Sequence, residues 1–566
     1  MPDTRDVRAY LGSLVAAAVR AAVAAGDLPD LPVPGDTIER PKDAANGDFA
    51  SALPLRLARA AMKTPIEIAR TIARHMPSDP AVDPPVVAPP GFLNFRLSQQ
   101  FVQQQVEHVI RAGPTYADLN LGAGHKAQVE FVSANPTGPL HVGNGRGAAI
   151  GDTLASALSA AGYEVEREYY VNDAGTQTDT FGDTLYARYQ QLFDRDVDIP
   201  KDGYPGEYMI DLAKEIKAEA GDRFLRPHGE PGSPELGPLG IELMVRHVRK
   251  TLGEFGVRYD RWFSEKSLYD PEGTYEEAID ILRQSHQLVE REGALWFASS
   301  ELGEDKDNVV IRSDGRPTYY CSDIAYHYDK FVRRGFDLVI DVWGADHHGH
   351  VSRVKTATRA IGANPDNLHI LLYQLVFLKR GGQAVKIAKR SGEFVTLDEL
   401  IGDVGADAAR FFFLLRSPGA QMEFDLDLAV TQSSENPVFY VQYAHARLAG
   451  ILQRAAEQGI DTSHGDVSLL TQPQELALIR EMMRLTDVIE LVATTFEPQH
   501  LPHYAMSLAT AFHAFNDSFK QQGDPSLKVL TDNVALTQAR LRLVLAAKIA
   551  LARVLGLMGM TAPERM

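Results

Sequence analysis

The most constraining stretch runs from residue 127 to residue 171. It reads as a strand-like AQVEFVS, a turn rich in proline and glycine, a helical HVGNGRGAAIGDTLASALSAAG and a second strand-like YEVEREYYV. Strand, helix and strand in that order make a βαβ unit, which commits the chain to a parallel sheet. Pro136, Gly138 and Pro139 form the turn, and His141, Val142, Gly143 and Asn144 open the helix directly after it. Helix-start amides and the positive end of the macrodipole attract phosphate, and Gly143 leaves room for a nucleotide against the backbone. His141 could donate to a phosphate oxygen, or it could only cap the helix.

At 566 residues the chain exceeds what one core serves, so about three domains are expected. In the first, Thr64, Pro65 and Glu67 spell a helix start, and a proline-rich segment precedes the strand-like GFLNFRL of 91–97. A small α+β domain over 1–112 follows from this. After Asn172 the sequence turns helical and charged, then returns to apolar strands at FDLVIDVWG and LHILLYQLV. That pattern predicts a nucleotide-binding α/β domain over 113–429, split by an insertion at about 172–305. From 430 to 566 helical periodicity dominates, opening with Asn436 as cap and Pro437 in the first turn.

Composition narrows the function classes. The single cysteine, Cys321, excludes an intramolecular disulfide framework and any multi-cysteine zinc site, and it fits a reducing, cytoplasmic setting. The alanine-rich LGSLVAAAVRAAVAAG reads as an amphipathic helix, because Arg20 interrupts it and Asp3 and Asp6 stand where a signal peptide would be basic. No membrane span is expected. A net charge of −18 argues against indiscriminate nucleic-acid binding, so any RNA site must be a local patch.

Two further clusters carry chemistry. KRGGQAVKIAKRSGEFVTL places Lys386 and Lys389 between Gly381-Gly382 and Ser391-Gly392, as on a mobile loop that could neutralise a departing pyrophosphate or simply be a solvated surface. GADHHGH, at 344–350, ends an apolar strand where open α/β sheets bind ligands. Its histidines point to opposite sides of an extended chain with no cysteine nearby, so no metal site is assigned to them. Trp262 and Trp343 read as packing residues.

The eleven-residue string ANPTGPLHVGN, 134–144, resembles the extended HIGH motif of class I aminoacyl-tRNA synthetases, in the form found in arginyl-tRNA synthetases. Asn144 stands where that motif has its second histidine, and KIAKR resembles a degenerate KMSKS loop. The resemblance implies a Rossmann-like catalytic domain in which ATP meets Ala134, Pro136, Thr137, Gly138, Pro139, Leu140, His141, Val142, Gly143, Asn144, His347 and His348. Lys386 and Lys389 join them there, and His141, Asn144 and the two lysines carry catalysis. ATP is expected as its Mg²⁺ complex, with no tightly bound cofactor and no protein metal site.

An arginine substrate has a planar, permanently charged guanidinium that carboxylates hold best. Glu130 lies in the strand before the phosphate turn, and Asp323 follows Tyr319 in PTYYCSDIAYHYDKF, a segment similar to the family's arginine-binding tyrosine and aspartate. Ser133 and Asn135 would hold the amino acid end. Glu130 could instead be an exposed strand residue, Tyr319 a core aromatic and Asp323 a helix cap.

The RNA contacts implied are Phe92 and Asn94 for an outlying D-loop base, and Tyr443, His445 and Arg447 in the helical anticodon-binding domain. A basic run without acidic residues from Val534 to Gly559 adds Arg540 and Arg542 as phosphate contacts, the alternative being a solubilising helix face. The partners expected are therefore tRNA(Arg), L-arginine and ATP, with tRNA bound before the adenylate forms and a monomer as the working unit. Two rivals remain: an RNA-independent adenylyltransferase and a tRNA-binding paralogue without catalysis.

Overall fold

The computed structural model describes every residue except 1–6, 36, 175, 228, 231 and 386–394. Its centre is a five-stranded sheet of β1 (Lys126–Phe131), β2 (Glu164–Val171), β3 (Arg261–Ser264), β4 (Leu338–Gly344) and β5 (Leu368–Tyr373), in the order β5-β4-β1-β2-β3. Every neighbouring pair is parallel. The strand order reverses between β1 and β4, and at such a switch point ligands lie beyond the carboxyl ends of the strands. Helix α1 (Val142–Ala160) connects β1 to β2 and is buried along most of its length, which is why it is made of small and aliphatic residues.

The expected insertion is not continuous. β3 falls within 172–305 yet completes the central sheet, leaving a helical segment before it and a small antiparallel sheet of Leu288–Arg291, Ala294–Phe297 and Asn308–Ile311 after it. Four residues, RWFS, are too short to stand out in a charged, helical neighbourhood. Helix α2 (Tyr319–Tyr328) follows and runs into a π turn at Asp329–Arg333.

The N-terminal part packs its helices on a four-stranded antiparallel sheet. The capping box predicted at Thr64 is present, with Glu67 returning to the Thr64 amide at 2.9 Å. One helix there, Val7–Ala24, is long and apolar enough to cross a membrane by length and composition; its Leu11, Val15, Ala18, Val19 and Ala22 are buried in the domain core. The C-terminal part is helical: α3 (Pro437–Glu457), α4 (Pro473–Thr495), α5 (His500–Asn516) and α6 (Val534–Leu557). Asn436 caps α3, its side chain accepting from the Val438 amide at 3.0 Å.

Candidate active site

A cleft of about 1220 Å³ opens at the carboxyl ends of β1 and β4. Its floor is the turn after β1, where Val132 and Ser133 both take positive φ, 69° and 41°. A β-branched residue rarely adopts that conformation, and such strain persists only where the surroundings impose it. Here three buried or half-buried tyrosines do so: Tyr259 donates to Phe131 O at 3.0 Å, Tyr169 to Ala134 O at 2.9 Å and Tyr208 to Thr137 O at 2.7 Å.

His141 is the N-cap of α1. Its Nδ1 accepts from the Asn144 amide at 3.3 Å, while Asn144 Oδ1 accepts from the His141 amide at 3.0 Å. An accepting Nδ1 puts the proton of a neutral imidazole on Nε2. Burial also holds the His141 pKa below its ordinary value, Asp346 opposing only in part. The ring is thus a neutral donor at neutral pH. Asn144 completes this cap, so the departure from the family's second histidine gives the helix start its own fastening.

Of the residues expected at ATP, Ala134, Thr137, Gly138, Pro139, His141, Gly143, Asn144 and His347 line the cleft. Pro136, Leu140 and Val142 do not: they are buried, and they hold the turn from behind. His348 is exposed and is not in the lining, where His350 stands instead. In the two-turn 3₁₀ helix Ala345–His350, residues three apart share a side and neighbours do not. Trp343 also lines the cleft, whereas Trp262 stacks on Tyr169 at 4.4 Å between ring centres.

Lys386 and Lys389 lie outside the described residues. The chain that follows them does not: Val142 N donates to Val395 O at 3.2 Å, and Leu397 N to Leu140 O at 2.8 Å. The chain from Val395 to Leu397 therefore pairs with the turn that leads into α1.

The acidic side of the cleft departs most from expectation. Glu130 lines the cleft but is buried, and its carboxylate is already engaged: Lys330 Nζ sits 2.6 Å from one oxygen and Ser133 Oγ donates to the other at 2.8 Å. In strand register Glu130 lies between Asp341 of β4 and Glu168 of β2, three buried carboxylates in a row across the sheet. Such a row demands cations, and the segment after α2 supplies them. Lys330 also reaches Asp341 at 2.8 Å, Arg334 reaches Glu168 at 2.5 Å, and His327 contacts Asp341 at 3.1 Å.

Asp323, by contrast, lines the cleft and its carboxylate has no hydrogen bond among the described residues. It is not a helix cap, since Thr318 holds that position. Burial pushes its pKa up to about 6, with His327 and Arg353 opposing and Glu130 and Asp341 adding. Glu265, buried and hydrogen-bonded to Ser322 at 2.9 Å, is raised to about 7, chiefly by burial and further by Asp323. Tyr319 is neither in the core nor in the cleft; it is 56% exposed at the first turn of α2, and Tyr326, two turns on, lines the cavity with Tyr170. Ser133 and Asn135 line it as expected.

The RNA-binding candidates divide. Leu93 and Phe95 are buried while Phe92 and Asn94 alternate onto the half-exposed face of their strand, so both are presentable. Tyr443 is 42% exposed and stacks on Phe439. His445 is buried against Pro563 O at 2.8 Å, and Arg447 pairs with Asp517 at 2.8 Å. Arg540 is 2% exposed, bound to Glu475 at 2.7 Å and to two backbone carbonyls; Arg542 is bound to Glu107, Arg553 to Asp118 and Lys548 to Glu564. The basic run of α6 is a clamp between parts of the protein, not a phosphate strip. Its partners Glu107, Asp118, Glu475 and Glu564 lie elsewhere in the sequence, which is why the run looked uncompensated.

A doubly wound parallel sheet with a histidine-capped helix start at its switch point, and a helical domain behind it, is the architecture of a class I aminoacyl-tRNA synthetase. Residues 105–412 match the family of tRNA synthetases class I (R), catalytic domain; 10–97 match the arginyl tRNA synthetase N terminal domain, and 441–566 the DALR anticodon binding domain. The chain is 50% identical over 541 residues to the arginine–tRNA ligase of Dehalococcoides mccartyi strain CBDB1, covering 96% of each. It is 46% identical over 558 residues to that of Carboxydothermus hydrogenoformans, covering 98% of each. The solved Thermus thermophilus arginyl-tRNA synthetase shares its fold, with a TM-score of 0.74 and 24% identity over 99% of this chain and 100% of that one. The chain belongs to the arginyl-tRNA synthetase family.

Proposed function

We propose that this cleft joins arginine to ATP and passes the arginyl group to the 3′-terminal ribose of tRNA(Arg), with tRNA bound before the first step. The triphosphate lies at the start of α1, where Nε2–H of neutral His141 and the helix-start amides meet its oxygens. The arginine carboxylate attacks the α-phosphorus and pyrophosphate leaves, its charge met by Lys386 and Lys389. A ribose hydroxyl then attacks the carbonyl of the adenylate and releases AMP. Mg²⁺ would accompany ATP and neutralise part of the triphosphate charge.

One observation carries this assignment: an Asp323 carboxylate with no partner among the described residues, in the same cleft as the His141 helix start, with Glu265 behind it. Two carboxylates kept short of cations are a site for a cationic side chain, and the planar guanidinium fits them best. Glu130 acts through Lys330 and shapes the floor; Ser133 and Asn135 face the amino acid end.

For tRNA, the exposed Arg56, Arg59, Lys63, Arg70 and Arg74 near Phe92 and Asn94 supply the local basic surface that an acidic protein needs. Tyr443 offers a stacking ring at the other end. The working unit is a cytoplasmic monomer. His141→Ala and Lys389→Ala should each slow adenylate formation about 100-fold while changing tRNA affinity by less than about threefold. Equal losses in both properties would contradict these roles.

A further inference from the structure

Arg146 stands five residues into α1, about 7 Å along the axis from the His141 cap. It is fully buried, yet it makes no ion pair among the described residues. Its Nη1 donates to Gln374 O at 2.7 Å and Ala420 O at 2.9 Å, its Nη2 donates to Ser417 O at 2.9 Å, and its buried Nε has no partner. The other buried guanidiniums differ. Arg410 holds Asp152 at 2.5 Å and Arg540 holds Glu475 at 2.7 Å.

Backbone carbonyls satisfy N–H groups but carry no net charge, so the cation at Arg146 stays uncompensated in a medium that penalises it. Burial accordingly drags its pKa down to about 10. Gln374, whose carbonyl it holds, is itself part of the cleft wall, next to Tyr373 and Leu375. The guanidinium thus lies one residue behind the cavity, on the helix whose start receives the triphosphate, with no carboxylate bound to it among the described residues. A fixed charge behind a low-dielectric wall acts on an anion without touching it.

We infer that Arg146 is a positioning residue for ATP, a buried and unneutralised cation whose field holds the triphosphate at the start of α1. The inference rests on the assignment of that helix start as the phosphate site. Triphosphate is the anion that balances the cation, and the charge is left open for it. The contribution is electrostatic, so a residue that keeps the charge but not the three hydrogen bonds should keep much of the effect.

Arg146→Lys and Arg146→Gln separate these contributions, because both lose most of the carbonyl contacts and only one loses the charge. In arginine-dependent exchange of pyrophosphate into ATP, Arg146→Gln should raise the KM for ATP about tenfold or more, with the KM for arginine changed by less than about twofold. Arg146→Lys should stay within about threefold of the parent KM for ATP. Equal damage in the two variants, or damage in neither, overturns the inference. If Arg146→Gln and a second neutral variant, Arg146→Met, both fail to fold, the residue is structural and the inference falls as well. His141→Ala in the same assay keeps the two claims apart. A raised KM for ATP there with none in Arg146→Gln removes Arg146 alone, and an unchanged one removes the phosphate site itself.

Discussion

Lys330 Nζ lies 2.6 Å from Glu130 Oε2, so the carboxylate that the sequence offered to the substrate is already held by the protein's own cation. Both side chains are buried, and Asp341 joins them at 2.8 Å from the same nitrogen. Burial alone would pull the Lys330 pKa down, yet Asp341 and Glu130 outweigh it and hold the amine charged. Asp341 is held down to about 2, because Lys330 and His327 overcome its burial. Removing one member of such a group strands the others. Lys330→Ala should cost about 3–5 kcal/mol of unfolding free energy, read from urea titration, and Glu130→Gln should cost less because it removes a charge from a crowded row. A Lys330→Ala protein of parental stability would refute the account of the row.

Arginine binding should be sensitive to pH in an unusual window. Burial pushes the Asp323 carboxyl up to about 6 and that of Glu265 up to about 7. Below those values the carboxylates are neutral and offer little to a guanidinium; above them they are ionised. kcat/KM for arginine should therefore climb between about pH 5.5 and pH 7.5 instead of near pH 4, and arginine binding at pH 6.5 should release protons to the buffer. The sign for stability is the opposite of the usual one. A carboxylate whose folded pKa is raised opposes folding once ionised, so the thermal stabilisation given by arginine should be larger at pH 8 than at pH 5.5. Calorimetry in two buffers of different ionisation enthalpy checks the proton release.

Gly143 is tied to His141 by space. A Cβ at residue 143 would stand 2.9 Å from the imidazole Cε1 and 3.0 Å from Nδ1. Gly143→Ala should push the ring off its cap and lower kcat of adenylate formation about tenfold or more. Fold stability should change by no more than about 1 kcal/mol, because alanine is the better helix former. Parental kcat in this variant would mean that the imidazole position does not matter.

Arg540→Ala should behave as a core mutation and not as a lost RNA contact. The residue is buried with Glu475, and breaking such a pair costs about 3–5 kcal/mol. The salt dependence of tRNA binding, measured on the folded fraction, should keep its slope, whereas Lys63→Ala on the exposed N-terminal surface should reduce that slope by about one.

Local rules carried far into this fold. The helix start at Thr64, the βαβ unit, the phosphate turn and the Asn436 cap were all readable, because each depends on residues within a few positions of one another. What was not readable depends on partners distant in sequence. Glu130 looked unpartnered until strand register set it beside Asp341 and Glu168 and brought Lys330, 200 residues away, over it. Arg540 and Arg542 looked like a basic strip for the same reason, their partners being 65 and 435 residues distant. β3 was hidden inside the helical insertion because four residues carry too little periodicity to be noticed. One signal was within reach: DKFVRR after α2 is a cationic cluster behind an apolar helix, as a row of acidic strand positions would require.

In the proposed reaction Asp323 selects a cationic amino acid at a site shared with ATP. Pyrophosphate exchange into ATP, run with tRNA(Arg) present and with arginine, lysine or citrulline in turn, tests it most directly. Arginine alone should support rapid exchange, and Asp323→Asn should lose about 100-fold or more of kcat/KM for arginine while leaving the KM for ATP within about threefold. Comparable exchange with neutral citrulline, or an Asp323→Asn enzyme as specific for arginine as its parent, would contradict it.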